Sequence, residues 1–148
     1  MPLRILLAED NDALRSELRA LLESRSGWEV VAEAENGRDA VQKAGQVRPD
    51  VLVIDYSMPN LDGISAIPEL RRVAPEAEVV LLTVHDARFT MARAMDAGAR
   101  GYVVKSQIMK DLMPAIEAAS KHQTYLSFDV AGKDRTAGQM SPIKKSDG

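Results

Sequence analysis

The sequence predicts a doubly wound α/β domain, and three observations carry that prediction. Short β-rich apolar runs recur along the chain, stretches with helical spacing separate them, and the run Val51-Leu52-Val53-Ile54 is apolar on both faces. A strand without a polar face belongs inside a parallel sheet covered by helices on both sides. Strand and helix alternating in this way imply right-handed βα crossovers.

The first strand is expected from Leu3 to Ala8. Behind it Leu14, Leu18, Leu21 and Leu22 fall at i, i+4, i+7 and i+8 with Arg and Glu opposite, the stripe of an amphipathic helix lying on a sheet. Trp28 to Ala34 is the second strand. Its helix follows Asn36-Gly37 and runs to about Val47, where Arg48-Pro49 stops it, because the residue before a proline is pushed out of the helical region. The third strand, Val51 to Ile54, delivers Asp55, and a helix follows Asp62-Gly63. The fourth strand is Val79 to Thr83, with a helix from about Asp86 to Ala97 that ends at Gly98, where a left-handed cap costs glycine little. Gly101 to Val104 is the fifth strand and roughly Lys110 to Lys121 the fifth helix. Pro68 and Pro114 are placed early in their helices, where proline is tolerated, and Pro114 predicts a distorted helix start. From Asp129 the pattern dissolves into Gly, Ser, Lys and Asp without periodicity. The expectation is one domain over residues 1–128 and a solvated tail over 129–148.

Composition bounds the function. The 148 residues suffice for one well-buried core, and a formal net charge of -3 offers no broad attraction to DNA or an anionic membrane. The absence of cysteine excludes disulfides, thiolate catalysis and Cys-based metal sites, and fits a reducing compartment. No run approaches the ~20 apolar residues of a membrane helix, and Leu3 to Ala8 is too short for a signal-peptide core. A soluble cytoplasmic protein is the expectation.

In open α/β sheets ligands bind beyond the carboxyl ends of the strands, where strand order reverses. The residues ending the runs are Glu9 and Asp10, Asp55, Thr83 and Lys105. If the first and third strands are neighbours, as in the flavodoxin-like order 2-1-3-4-5, three carboxylates converge at one edge of the sheet. Like charges that close disfavour joint ionisation. A hard divalent cation removes the penalty, and Mg2+ suits oxygen ligands while keeping water and phosphate oxygens in its octahedron. The cluster therefore reads as a phosphate-handling site. Lys105 supplies a point charge for a phosphoryl oxygen and the Thr83 hydroxyl a donor to another. Asp55, at the centre, is the candidate phosphoacceptor, since a carboxylate can attack phosphorus to give an aspartyl phosphate. Met58-Pro59 and Asp62-Gly63 shape the adjoining loop, and a main-chain carbonyl near Ser57 is the candidate to complete the metal shell.

The stretches ILLAED, VLVIDYSMPNLDG, VVLLTVHD and AGARGYVVKS resemble, in order and spacing, the receiver domain of two-component response regulators. The likeness is greatest to receivers of the subfamily that usually carries a LuxR-type DNA-binding domain, and it covers about residues 2 to 128. It implies phosphotransfer from a histidine kinase to Asp55, with Glu9, Asp10 and Asp55 around Mg2+ and with Thr83 and Tyr102 as switch residues. It also implies a change on the face formed by the fourth helix, fifth strand and fifth helix, controlling a protein partner or self-association.

The chain departs from the family at several positions. Its tail has no amphipathic helix from which to build a helix-turn-helix, so DNA binding is not expected. Ser106 stands where many receivers have proline, so no cis bond is expected there. Val84 is bulkier than the residue common after Thr83, and Tyr56 and Ser57 are unusual beside the acceptor, so phosphoryl lifetime does not carry over.

The residues leave rival readings. An aspartyl-phosphate hydrolase commonly has a second acid two residues past its nucleophile, where this chain has Ser57. No G-x-G-x-x-G or G-x-x-x-x-G-K-[ST] loop follows a strand, which disfavours a nucleotide-binding protein. Singly, the Glu-Asp pair reads as a helix cap, Lys105 as a solvated lysine and Tyr102 as core. His85 and His122 are read as surface residues, neither metal ligands nor phosphodonors.

Overall fold

A computed structural model describes residues 2–84 and 88–127 of the chain. His85, the helix start expected at Asp86 and the tail expected over 129–148 lie outside the described residues. In chain order the elements are β1 (Leu3–Ala8), α1 (Asp12–Glu23), β2 (Trp28–Ala34), α2 (Gly37–Val47), β3 (Val51–Asp55), α3 (Gly63–Val73), β4 (Glu78–Thr83), α4 (Arg88–Ala97), β5 (Gly101–Val104), a 3-10 turn (Lys105–Gln107), α5 (Ile108–Ser120) and β6 (Tyr125–Leu126).

The sheet is parallel and runs β2-β1-β3-β4-β5-β6. The flavodoxin-like core is as the sequence predicts, and the sixth strand is an addition to it. Tyr125 and Leu126 pair with Gly101 and Tyr102, and the Ser127 N–H donates to the Tyr102 carbonyl at 2.8 Å. Two paired residues are too few to show a period in sequence. What holds them is tertiary: the Tyr125 hydroxyl donates to Asp111 Oδ1 at 2.7 Å, and the Ser127 hydroxyl oxygen accepts from the Val104 N–H at 2.7 Å, both in buried surroundings.

Alternation along the strands divides the core in two. Ile5, Leu7, Val51, Val53, Val80, Leu82 and Val103 pack with Leu18 and Leu22 of α1 and Leu112, Ala115 and Ile116 of α5. Leu6, Leu52, Ile54, Val79, Leu81 and Tyr102 pack on the other side with Ala40 and Ala44 of α2, Ile64, Ile67 and Leu70 of α3 and Ala94 of α4. Every residue of β3 and β4 is buried, because both of their faces are covered. At roughly 1.5–3 kcal/mol for each fully buried Val, Leu or Ile, this central pair is the rigid part of the scaffold.

Gly98 takes φ +115 after α4, as the cap argument requires, and its N–H and that of Ala99 return to the Ala94 carbonyl. Two local expectations need correction. Arg48 leaves the right-handed helical region ahead of Pro49, but it takes the left-handed conformation, φ 48, rather than an extended one; its N–H still closes α2 on Ala44. Pro68 and Pro114 lie in the interior of α3 and α5, not in their first turns. Packing of Ile64 and Ile67, and of Leu112 and Ile116, on the sheet holds each helix across its proline, and the irregular start of α5 is the 3-10 turn ahead of it.

Candidate phosphoacceptor site

The pairing of β1 with β3, Ala8 opposite Ile54, brings the next residue of each strand to the same edge of the sheet. Those residues are Glu9 and Asp55, and both are buried, with 1% and 2% of their surface exposed. Asp10 beside them is exposed, and one carboxylate oxygen from each of Glu9, Asp10 and Asp55 lies within 4.8 Å of the others. Lys105, leaving β5, reaches the same point. Its Nζ stands 2.9 Å from Asp55 Oδ2 and 3.3 Å from Glu9 Oε1.

Local hydrogen bonds aim these groups. The cap of α1 is Asn11, whose side chain accepts from the Leu14 N–H at 2.9 Å, so neither Glu9 nor Asp10 is consumed in capping. The Asn11 N–H donates to Glu9 Oε2 at 3.0 Å, and the Ser57 N–H donates to Asp55 Oδ1 at 3.2 Å. Gly63 lets the loop after β3 fold back on the site: its N–H donates to the Tyr56 carbonyl, and a Cβ there would lie 2.7 Å from the Asp55 carbonyl oxygen and 2.7 Å from Leu81. Asp62 opens α3 by accepting from the Ser65 N–H at 2.8 Å.

The electrostatics show one charge deficit. Burial pushes the Glu9 carboxyl up to about 7, Asp55 adds repulsion, and the Asn11 N–H and Lys105 only partly oppose the rise. Burial also pulls the Lys105 ammonium down, but Asp55 and Glu9 outweigh it and hold the ammonium above its ordinary value. Lys105 thus pairs with two buried acids and Asp10 lies beside them, and Glu9 Oε1 is a buried oxygen with no hydrogen bond besides that ion pair. An all-oxygen cluster with surplus negative charge fits a hard divalent cation. Glu9, Asp10 and Asp55 are the residues that would hold it.

Thr83 ends β4, buried, opposite Val104, and Tyr102 is fully buried on β5 opposite Leu81, so the two expected switch residues sit on adjoining strands beside the cluster. The part of Ser57 that approaches Asp55 is its N–H. Val84 is 66% exposed and so is not packed down on the acceptor. His122 has an exposed ring, as read from sequence, but its Nδ1 is hydrogen-bonded to the buried Glu78 carboxylate at the opposite end of the sheet. Among the described residues there is no cis peptide bond, in keeping with Ser106 after Lys105.

One contributor escaped the sequence reading. Arg15 belongs to the polar side of α1, yet its side chain is only 13% exposed and all three guanidinium nitrogens are engaged, one of them on the Glu9 carbonyl. Helical spacing shows which residues face away from the sheet, but not that β2 rises beside this one.

A doubly wound sheet whose reversal point carries two buried acids, a third acid and a bridging lysine defines a class of phosphate-handling signalling domain. A model of the response regulator receiver domain matches residues 5–117, and the chain belongs to that family. It is similar to the transcriptional regulatory protein PdtaR of Mycobacterium tuberculosis, 42% identical over 121 residues that make up 80% of this chain and 57% of PdtaR. It is also similar to the response regulator UvrY of Escherichia coli K12, 32% identical over 142 residues, 96% of this chain and 65% of UvrY. A crystal structure of a two-component response regulator of the LuxR family from Aurantimonas sp. superposes with a TM-score of 0.83 at 34% identity, covering 88% of this chain and 94% of that one. The receiver is therefore of the LuxR type, as its motifs suggest. The chain spans less than two thirds of the length of either curated relative.

Proposed function

We propose that this receiver takes a phosphoryl group on Asp55 from a histidine kinase or phosphotransfer protein, with Mg2+ held by Glu9, Asp10, Asp55 and the Ser57 main-chain carbonyl. The observation that carries the reading is the Asp55 carboxylate, buried at a strand end, oriented by Ser57 and Lys105 and within 4.8 Å of two further acids. In the transfer a carboxylate oxygen of Asp55 forms the new bond to phosphorus while the bond from phosphorus to the donor nitrogen breaks, and the donor nitrogen keeps the electron pair. Mg2+ held by Glu9, Asp10 and Asp55 would supply positive charge to offset the negative charge of the transferring phosphoryl group. Lys105, released from Asp55 as that carboxylate becomes an acyl phosphate, is placed to follow the negative charge onto a phosphoryl oxygen. The Thr83 hydroxyl donates to another, and Tyr102 repacks on β5.

The domain then acts as a population switch that alters the α4, β5 and α5 face and so controls a protein partner or self-association. It assists its own phosphorylation and dephosphorylation and is not proposed to turn over a separate substrate. A second output reading rests on length: PdtaR, named as a transcriptional regulatory protein, extends well beyond the matched region, and the receiver would then govern a DNA-binding segment outside this chain. No helix among the described residues is long and apolar enough to cross a membrane, and a cytoplasmic location is proposed.

Incubation with a small-molecule phosphodonor and Mg2+ tests the acceptor. A single alkali-labile, hydroxylamine-sensitive phosphoryl adduct is expected on the wild type and none on Asp55→Asn. Equal labelling of both proteins at one site overturns the assignment.

A further inference from the structure

We propose that Arg15 is the positioning residue of the acidic turn and sets the affinity of the site for its cation, an inference that rests on the proposed Mg2+ reading. Arg15 Nη1 donates to the Glu9 carbonyl at 2.8 Å, Nε donates to Glu33 Oε1 at 2.9 Å, and Nη2 donates to Asp12 Oδ1 at 2.7 Å. One rigid fork therefore ties the end of β1 to β2 and to the first turn of α1. Glu33 is itself gripped: Arg19 donates to its other carboxylate oxygen, and Lys43 Nζ donates to its carbonyl at 2.6 Å.

The bond to the Glu9 carbonyl matters most for the site. That carbonyl belongs to the peptide joining Glu9 to Asp10, so its direction sets how both side chains leave the turn. The Glu9 N–H is already held by the Ala34 carbonyl at 3.0 Å. With the N–H tied to β2 and the carbonyl tied to Arg15, the turn has little freedom to rotate its two carboxylates away from Asp55. Outer partners that fix the ligands of a metal typically change affinity by about tenfold or more when removed.

The test is calorimetric titration of Mg2+ into the unphosphorylated protein, with thermal unfolding in chelator as a separate measure of folding. Wild type binds, and Asp55→Asn or Asp10→Asn weakens that binding; if wild type takes no Mg2+, the cation reading itself fails. Given binding by wild type, Arg15→Ala raises Kd about tenfold, Arg15→Lys recovers only part of the loss because one ammonium cannot reach all three acceptors, and Asp12→Asn, which takes the charge from the most exposed pair of the fork but keeps its acceptor oxygen, leaves Kd unchanged. Phosphoryl acceptance by Arg15→Ala returns to the wild-type rate at saturating Mg2+. Arg15→Ala and Arg15→Lys that unfold earlier yet bind Mg2+ with the wild-type Kd would make Arg15 a structural brace only and overturn the proposal. Should Arg15→Ala not fold, Arg15→Lys against Asp12→Asn decides by the same comparison.

Discussion

Lys105 Nζ lies 2.9 Å from Asp55 Oδ2 and 3.3 Å from Glu9 Oε1, so a single ammonium just past the end of β5 reaches across β4 to pair with buried acids at the ends of β3 and β1. The lysine pairs with the acids in the resting domain, and under the proposed function it would also hold the phosphoryl group afterwards. Lys105→Met should separate them. Leaving Glu9 and Asp55 without their partner should cost about 2–4 kcal/mol in the absence of metal, seen as a lower denaturation midpoint, and added Mg2+ should recover much of it. Phosphoryl acceptance should fall by about 10² even at saturating Mg2+. Unchanged stability in chelator would show that the ion pair is not what holds these acids.

Gly63 is predicted to tolerate no side chain. A Cβ would meet the Asp55 carbonyl oxygen and Leu81 at 2.7 Å, so Gly63→Ala must push the loop away from the acceptor. A loss of about 1–3 kcal/mol is expected, together with slower phosphoryl acceptance, measured by denaturant unfolding and by phosphodonor labelling on the same preparation.

At the far edge of the sheet, Tyr125→Phe removes the hydroxyl that donates to the buried Asp111. The expected loss is about 1–3 kcal/mol. Amide exchange should speed up at Tyr125 and Ser127, whose N–H groups bond to the Arg100 and Tyr102 carbonyls, while Leu52 to Ile54 in the sheet centre keep their protection. Faster exchange throughout the sheet would mean that β6 is not a separable latch.

Glu78 supplies a pH prediction at the end of the sheet away from the site. Burial pushes its carboxyl up, but hydrogen bonds from His122 and Arg100 outweigh this and leave it below the ordinary carboxylate value of 4.5. A carboxyl whose folded value is depressed contributes stability that is present above 4.5 and is lost as pH falls through the lowered value. Thermal midpoints measured downward from neutral pH should therefore drop less steeply for Glu78→Gln than for wild type, from a lower starting point. Parallel curves would remove Glu78 from the account of acid sensitivity.

The sequence by itself determined the five main strands, the amphipathic stripe of α1, the glycine stop after α4 and the four strand-end positions Glu9, Asp55, Thr83 and Lys105. Those features are written in spacing of 2 and 3.6 residues and in where an apolar run meets a charge, so they are local and survive without coordinates. Strand order was legible only by way of the resemblance, since nothing local says that β1 lies between β2 and β3. The rest was decided in three dimensions. Asn11 rather than the acidic pair caps α1, Arg15 turns from a solvent-side helix residue into a fork on Glu9 and Glu33, and Pro68 and Pro114 are carried inside helices. The two residues of β6 become a strand through a tyrosine hydroxyl and a serine hydroxyl that find partners far away in sequence. Each of these depends on what a neighbouring element brings within hydrogen-bond reach, about 3 Å, and sequence separation carries no record of that distance.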